Sequence, residues 1–173
     1  MAPLNDRDRD RELVAVSTAI GSGCRPCTQH HVRAALKSGI SPEEVQKAID
    51  TALTIRREAG DAVAGLGKRL LGLDQANGAR EAQPADRDEA LIYLGAAAGC
   101  NAGGLLADYL CAGYELGIGD EELSAAVEAA RVVKKGAAMF MDREAERVLR
   151  PMASVGTAEQ SPGGDCGCGP DCA

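Results

Sequence analysis

Residues 12 to 31 read Glu12-LVAVSTAIGSG-Cys24-Arg25-Pro26-Cys27-TQH-His31 and bring a carboxylate, two thiols and an imidazole into one short stretch. A thiol pair with a neighbouring base is what disulfide exchange or attack on a peroxide requires, because the thiolate is the nucleophile. If a helix begins at about Cys24, the advance of about 100° per residue puts positions 24, 27 and 31 within roughly 60° of one another, and His30 points elsewhere. Cys24 would then lie where first-turn amides and the helix dipole stabilise a thiolate, with the charge of Arg25 beside it. Pro26 suits a first turn, where no amide hydrogen bond is lost. His31, one turn beyond Cys27, can take its proton, and Glu12 is the candidate carboxylate for orienting that imidazole.

Two other readings fit the same residues. Cys24 and Cys27 could form a zinc half-site completed by His31 and Glu12. They could also be inert buried thiols, although the Gly-Ser-Gly before Cys24 points to an exposed helix start. Glu12 by itself could be a first-turn residue held by the helix dipole. His30 reads as a partly exposed surface histidine.

The chain has seven cysteines, an odd number, so they read as catalytic, metal-binding or buried apolar residues and not as a disulfide scaffold. Cys100 and Cys111 read as small buried hydrophobes. Cys166, Cys168 and Cys172 crowd the glycine-rich end and could form a thiol shuttle, a soft-ion site for Zn(II), Cu(I) or As(III), or a tail without a role. From Pro151 to Cys166 a flexible chain reaches about 20 Å, enough to visit its own site or a neighbour's.

The elements that must position the motif are helical and occur twice. A shift of 78 positions aligns Leu13 with Leu91, Gly21 with Gly99, Ala34 with Ala112, Gly39-Ile40 with Gly117-Ile118, and Glu43-Glu44 with Glu121-Glu122. The same shift aligns Ala48 with Ala126, Ala52 with Ala130, and Arg56-Arg57 with Lys134-Lys135, which indicates an internal duplication. Apolar periodicity predicts helices over 12–20, 24–38, 41–55 and 59–71, then over 86–98, 102–116, 120–134 and 136–150. Gly39 is placed as a C-cap, and Ser41-Pro42-Glu43-Glu44 as a helix start with a capping box. The expected organisation is an all-α chain: a motif-bearing repeat over 1–72, a linker over 73–86, a second repeat over 87–150 and a disordered tail over 151–173. The charged runs Asp6 to Glu12 and Asp86 to Glu89 read as solvated helix starts that need no partner.

A net charge of −7 with one Phe, three Tyr and no Trp argues against nucleic acid, which calls for basic patches or stacking rings. The start MAPLNDRDRDREL lacks a signal-like apolar stretch and no long apolar run follows, so a cytoplasmic protein without a membrane partner is expected.

Glu12, Cys24, Cys27 and His31 at these spacings, followed by Ala-x-x-x-Gly-Ile-Ser-Pro-Glu-Glu, resemble the alkylhydroperoxidase D and carboxymuconolactone decarboxylase superfamily. The resemblance covers most of residues 10 to 150. It implies an all-helical fold of two tandem repeats of about four helices each, and a thiol peroxidase or disulfide oxidoreductase activity. On that resemblance Cys27 attacks the peroxide, Cys24 resolves it and faces the partner, His31 is the base and Glu12 the proton relay. It further implies a peroxide or disulfide substrate, a lipoyl or thioredoxin-like protein as external dithiol reductant, no required cofactor, and a homotrimer. The sequence departs from two-repeat peroxidases of the family in carrying the motif in its N-terminal half. At the equivalent positions the second half has Ala90, Ala102, Leu105 and Tyr109, and so reads as a structural half-site. Two competing functions are soft metal or metalloid binding through the terminal cysteines, and a decarboxylase on the same scaffold, which leaves the paired cysteines without a task.

Overall fold

The computed structural model describes residues 5–73 and 83–149, and these form six α-helices: α1 (Asp6–Ser22), α2 (Arg25–Lys37), α3 (Pro42–Leu70), α4 (Arg87–Gly99), α5 (Gly103–Glu115) and α6 (Asp120–Leu149). The described residues contain no strand. No helix among them is long and apolar enough to cross a membrane. The tail cysteines Cys166, Cys168 and Cys172 and most of the joint between the repeats lie outside the described residues.

Local chemistry accounts for the helix starts. Asn5 caps α1 by accepting from the Asp8 amide at 2.9 Å. At α3, Ser41 Oγ accepts from the Glu44 amide at 3.2 Å while Glu44 accepts from the Ser41 amide at 3.0 Å, closing the expected capping box. Ser38 is the C-cap of α2, and Gly39 follows it at φ 95°, one position beyond the helix, where a left-handed residue releases the chain toward Ile40.

Helices α1 and α4 form the centre, packed against each other, and α3 and α6 each lie across both. This explains why α1 has no polar side in its middle: Leu13 through Ala19 are all buried. Two glycines set the spacing of the central pair. A Cβ on Gly21 would lie 2.5 Å from the Ala96 carbonyl oxygen, and one on Gly99 would lie 2.5 Å from that of Thr18. These contacts are the same under the 78-residue shift, so the two repeats are joined about a pseudo-twofold axis through α1 and α4.

Two sequence expectations require correction. The third and fourth helices of each repeat are one continuous helix, 29 residues in α3 and 30 in α6. Gly60 and Gly136 do not break them, because a lone glycine costs a helix only about 1 kcal/mol. The charged helix starts are also not merely solvated. Arg9 pairs with Glu44 at 2.7 Å and Asp88 at 2.9 Å, while Arg87 pairs with Asp10 at 2.5 Å and with Glu122. The shift of 78 exchanges Arg9 with Arg87, Asp10 with Asp88 and Glu44 with Glu122, so the network obeys the same pseudo-symmetry. Asp10 is 9% exposed, and these charges therefore bind one repeat to the other. Their pattern was invisible in a single helix start because the partners lie on other helices, Asp88 and Asp10 across the repeat boundary and Glu44 and Glu122 at the start of a long helix.

Candidate active site

Helix α1 ends where Gly23, at φ 68°, reverses the chain, and Cys24 follows as the N-cap of α2. The Gly21-Ser22 part of the expected break is still helical, so the turn is made by Gly23 alone. Cys24 Sγ accepts from the Cys27 amide at 3.3 Å, the first-turn interaction that stabilises negative charge on that sulfur when the pair is reduced. Cys24 and Cys27 are joined as a disulfide with their Cα atoms 5.3 Å apart.

Both sulfurs are more enclosed than the Gly-Ser-Gly signal indicated: Cys24 is 7% exposed and Cys27 0%. They pack with Ala15 and Ala19 of α1 and, from the second repeat, Val133 and Ala137 of α6. Neither α6 residue was singled out from sequence. The repeat offset was the one available signal, since it maps Val133 on Ile55 and Ala137 on Ala59, buried residues of α3. The second repeat therefore walls the first repeat's thiol pair.

His31 lies one turn beyond Cys27 on α2 and is 3% exposed. Burial, reinforced by His30 and Arg11, pushes its imidazole down to about 4, so it is neutral at pH 7 and able to accept a proton. His30, half-buried, sets its ring edge-on to His31 with centroids 4.9 Å apart. Glu12 lies in the second turn of α1, not the first, because the helix starts at Asp6. Its carboxyl is raised above the ordinary value by burial, with Arg11 lowering it and Asp8 raising it. Glu12 Oε2 and His31 Nε2 are both buried and neither makes a hydrogen bond, so no direct bond joins these two atoms. In a fold that satisfies nearly all its buried polar groups, two such atoms from one motif mark a place where polar chemistry is held ready.

The equivalent half-site is filled differently. Ala90 is buried in place of Glu12, Ala102 caps α5 without a side-chain bond in place of Cys24, and a half-buried Leu105 replaces Cys27. Tyr109, in place of His31, is 1% exposed, donates its hydroxyl to Glu58 Oε2 at 3.4 Å and stacks edge-on against Tyr93.

Of the remaining thiols, Cys100 is half-buried with Sγ 3.5 Å from the Gly21 carbonyl, and burial raises its pKa. Cys111 is exposed, not buried as expected. Among the described residues no three His, Cys, Asp or Glu side chains gather as a metal-binding group, so the four-ligand zinc arrangement of the motif is not assembled. No curated protein and no solved structure matches the chain. Residues 7–63, the segment that supplies Glu12, Cys24, Cys27 and His31, match the model of the carboxymuconolactone decarboxylase family.

Proposed function

We propose that this protein is a thiol-dependent peroxidase or disulfide oxidoreductase working through Cys24 and Cys27. The observation that carries the reading is the bonded Cys24–Cys27 pair enclosed beside a neutral, buried His31. In the reduced enzyme Cys27 loses its proton to His31, and the Glu12 carboxylate favours the imidazolium that results. The Cys27 thiolate attacks one oxygen of a hydroperoxide, the O–O bond breaks, and the alcohol leaves with the proton returned from His31. Cys27 is now a sulfenic acid. Cys24 then attacks the Cys27 sulfur, water leaves, and the disulfide forms. An external dithiol, such as a lipoyl or thioredoxin-like protein, restores both thiols and becomes a disulfide in turn. No metal or organic cofactor enters this sequence.

Assembly as a homotrimer is part of the same proposal. Beyond Ala59 and Ala137, the last buried residues of their helices, α3 and α6 run on as arms that expose Val63, Leu66 and Leu70 on one and Met139, Met141 and Val148 on the other. Apolar surface of this kind is normally covered by a partner, and a mass by light scattering of three times 17.8 kDa is expected.

The chemical proposal is tested by following disulfide formation after peroxide addition in the reduced wild type, Cys27→Ser, Glu12→Gln and a chain truncated after Ser161. Wild type and the truncated chain should form the disulfide at similar rates, Glu12→Gln about 10²-fold more slowly, and Cys27→Ser not at all. Unchanged kinetics in Glu12→Gln would remove the proton relay.

A further inference from the structure

At Gly23 and Arg25, the residues on either side of Cys24 in the chain, the surface opens into a groove of about 570 Å³ between the end of α1, the start of α2 and the middle of α3. Its walls include the side chains of Arg25, Thr28, Gln29 and Arg56, with Ile20 and Leu53 as its apolar part. No acidic residue lines it, although the chain as a whole carries a net charge of −7. The two arginines of the groove are tied to the chain on either side of Cys24. Arg25 is its neighbour, and Arg56 lies over the Gly23 turn, so close that a Cβ on Gly23 would sit 2.9 Å from both Nη atoms. Arg56 is fixed there by donating from Nη1 to the Ile20 carbonyl at 3.0 Å. Among the described residues no carboxylate pairs with Arg25 or Arg56.

The other half of the molecule provides an internal control. The pseudo-twofold maps Arg25, Thr28 and Gln29 on Gly103, Leu106 and Ala107, so the polar lining contributed by α2 is missing where the thiols are missing. A requirement of the fold would be met in both repeats. Arg56 maps on Lys134, so one cation is kept in both repeats, and it is Arg25 with Thr28 and Gln29 that distinguishes the half carrying the thiols.

We propose that this groove recognises the negatively charged group of the thiol that reduces the enzyme, and that this reductant carries a carboxylate close to its sulfur. The inference rests on the disulfide chemistry proposed above and puts a small carboxylate-bearing thiol in place of the dithiol protein as reductant. Two arginines with five N–H donors each are suited to a carboxylate, and the groove is of a size that holds a small molecule. With its carboxylate between Arg25 and Arg56, the thiolate approaches Cys24, whose two chain neighbours Gly23 and Arg25 line the groove, and not the fully enclosed Cys27. Its sulfur bonds to Cys24 Sγ, the Cys24–Cys27 bond breaks, and the electron pair leaves on Cys27, which receives, through His31, the proton lost by the reductant's thiol. A second thiolate then attacks the mixed disulfide at the reductant's sulfur. Cys24 is released as a thiolate and takes up the proton lost by the second thiol, so two thiols have become one disulfide as the enzyme gains two electrons and two protons.

The test measures how fast 3-mercaptopropionate, 2-mercaptoethanol and cysteamine reduce the Cys24–Cys27 disulfide, each rate divided by that thiol's rate with a small neutral disulfide to remove differences in thiol acidity. The normalised preference for the carboxylate thiol over the neutral one should be about tenfold at low salt, with cysteamine below both, and should shrink as salt screens the guanidiniums. In Arg25→Gln and in Arg56→Gln the preference should fall toward one. A changed acidity of Cys24 alone would alter all three thiols alike and leave the ratio intact. Arg56→Gln also removes the bond to Ile20, whereas Arg25→Gln touches no structural contact and keeps the test decisive. A ratio near one in the wild type, or a preference surviving both substitutions, overturns the proposal. Peroxide-driven reoxidation is read separately: a chain that reoxidises without the preference refutes the groove alone, and one that shows the preference without reoxidising refutes the peroxidase reading alone.

Discussion

At position 31 the first repeat buries an imidazole whose Nε2 bonds nothing, and at the equivalent position 109 the second buries a phenol that donates to Glu58. The backbone around the two is the same: a central helix, a turn, a short helix, and a long helix crossing from the other repeat. The side chains differ in what they leave unsatisfied. The second half-site replaces a carboxylate by alanine, a thiol by leucine and an orphan nitrogen by a bonded hydroxyl, which is how a site is filled when only stability counts. The first accepts buried polar atoms without partners, and such strain in bonding is a mark of function. On the proposed function the difference gives chemistry to one half and support to the other, with the support including the α6 wall over the sulfurs.

The contrast is broken most severely at the nucleophile. Cys27→Ser should reduce peroxide turnover by at least about 10³-fold, since a serine hydroxyl is not activated at this site, while a substitution of the exposed Cys111 should leave the rate as it was; a coupled peroxidase assay reads both. The next largest effect is on acid stability. The His31 imidazole titrates near 4 in the folded chain and near 6.5 when unfolded, so between those values the unfolded state binds the extra proton. Stability is then full above pH 6.5 and falls with acidification, by up to about 3 kcal/mol at pH 4 from this group. Chemical denaturation across that window should show a shallower loss in His31→Gln than in the wild type.

Glu12→Ala, which copies Ala90, should move the two halves in opposite directions. Disulfide formation should slow by about 10²-fold, while denaturant unfolding at pH 7 should show a stabilisation of about 1 kcal/mol, because a half-buried carboxylate oxygen without a partner is removed. Closer to the pseudo-axis, Gly21→Ala forces a methyl against the Ala96 carbonyl and should cost about 2 kcal/mol in thermal or denaturant unfolding. The smallest effect falls on the second half-site: Tyr109→Phe loses one hydrogen bond, about 1 kcal/mol, without changing the rate of peroxide reduction.

Much of this was legible in one sequence because it is written locally. The capping box at Ser41, the turn before Cys24, the helical phase of Cys24, Cys27 and His31, and the offset of 78 all depend on residues near one another or on a simple repeat. What escaped depends on distant partners. The break expected between 55 and 59 is absent because Ile55 and Ala59 are both buried and the packing carries α3 through it. Asp10 looked solvated until Arg87 was placed against it, and the enclosure of Cys27 by Val133 joins residues on opposite repeats. The groove at Arg25 and Arg56 was hidden for the same reason: Arg56 reaches the Gly23 turn from the middle of another helix.

The central claim is that reactivity belongs to one half-site, and the most direct test is to map all seven cysteines by thiol labelling and mass spectrometry after the reduced protein receives one equivalent of peroxide. Cys24 and Cys27 should lose their labels together and ahead of every other cysteine, appearing as a single disulfide-linked peptide. Earlier oxidation of Cys100, Cys111 or the terminal cysteines, with Cys24 and Cys27 still labelled, would contradict the assignment.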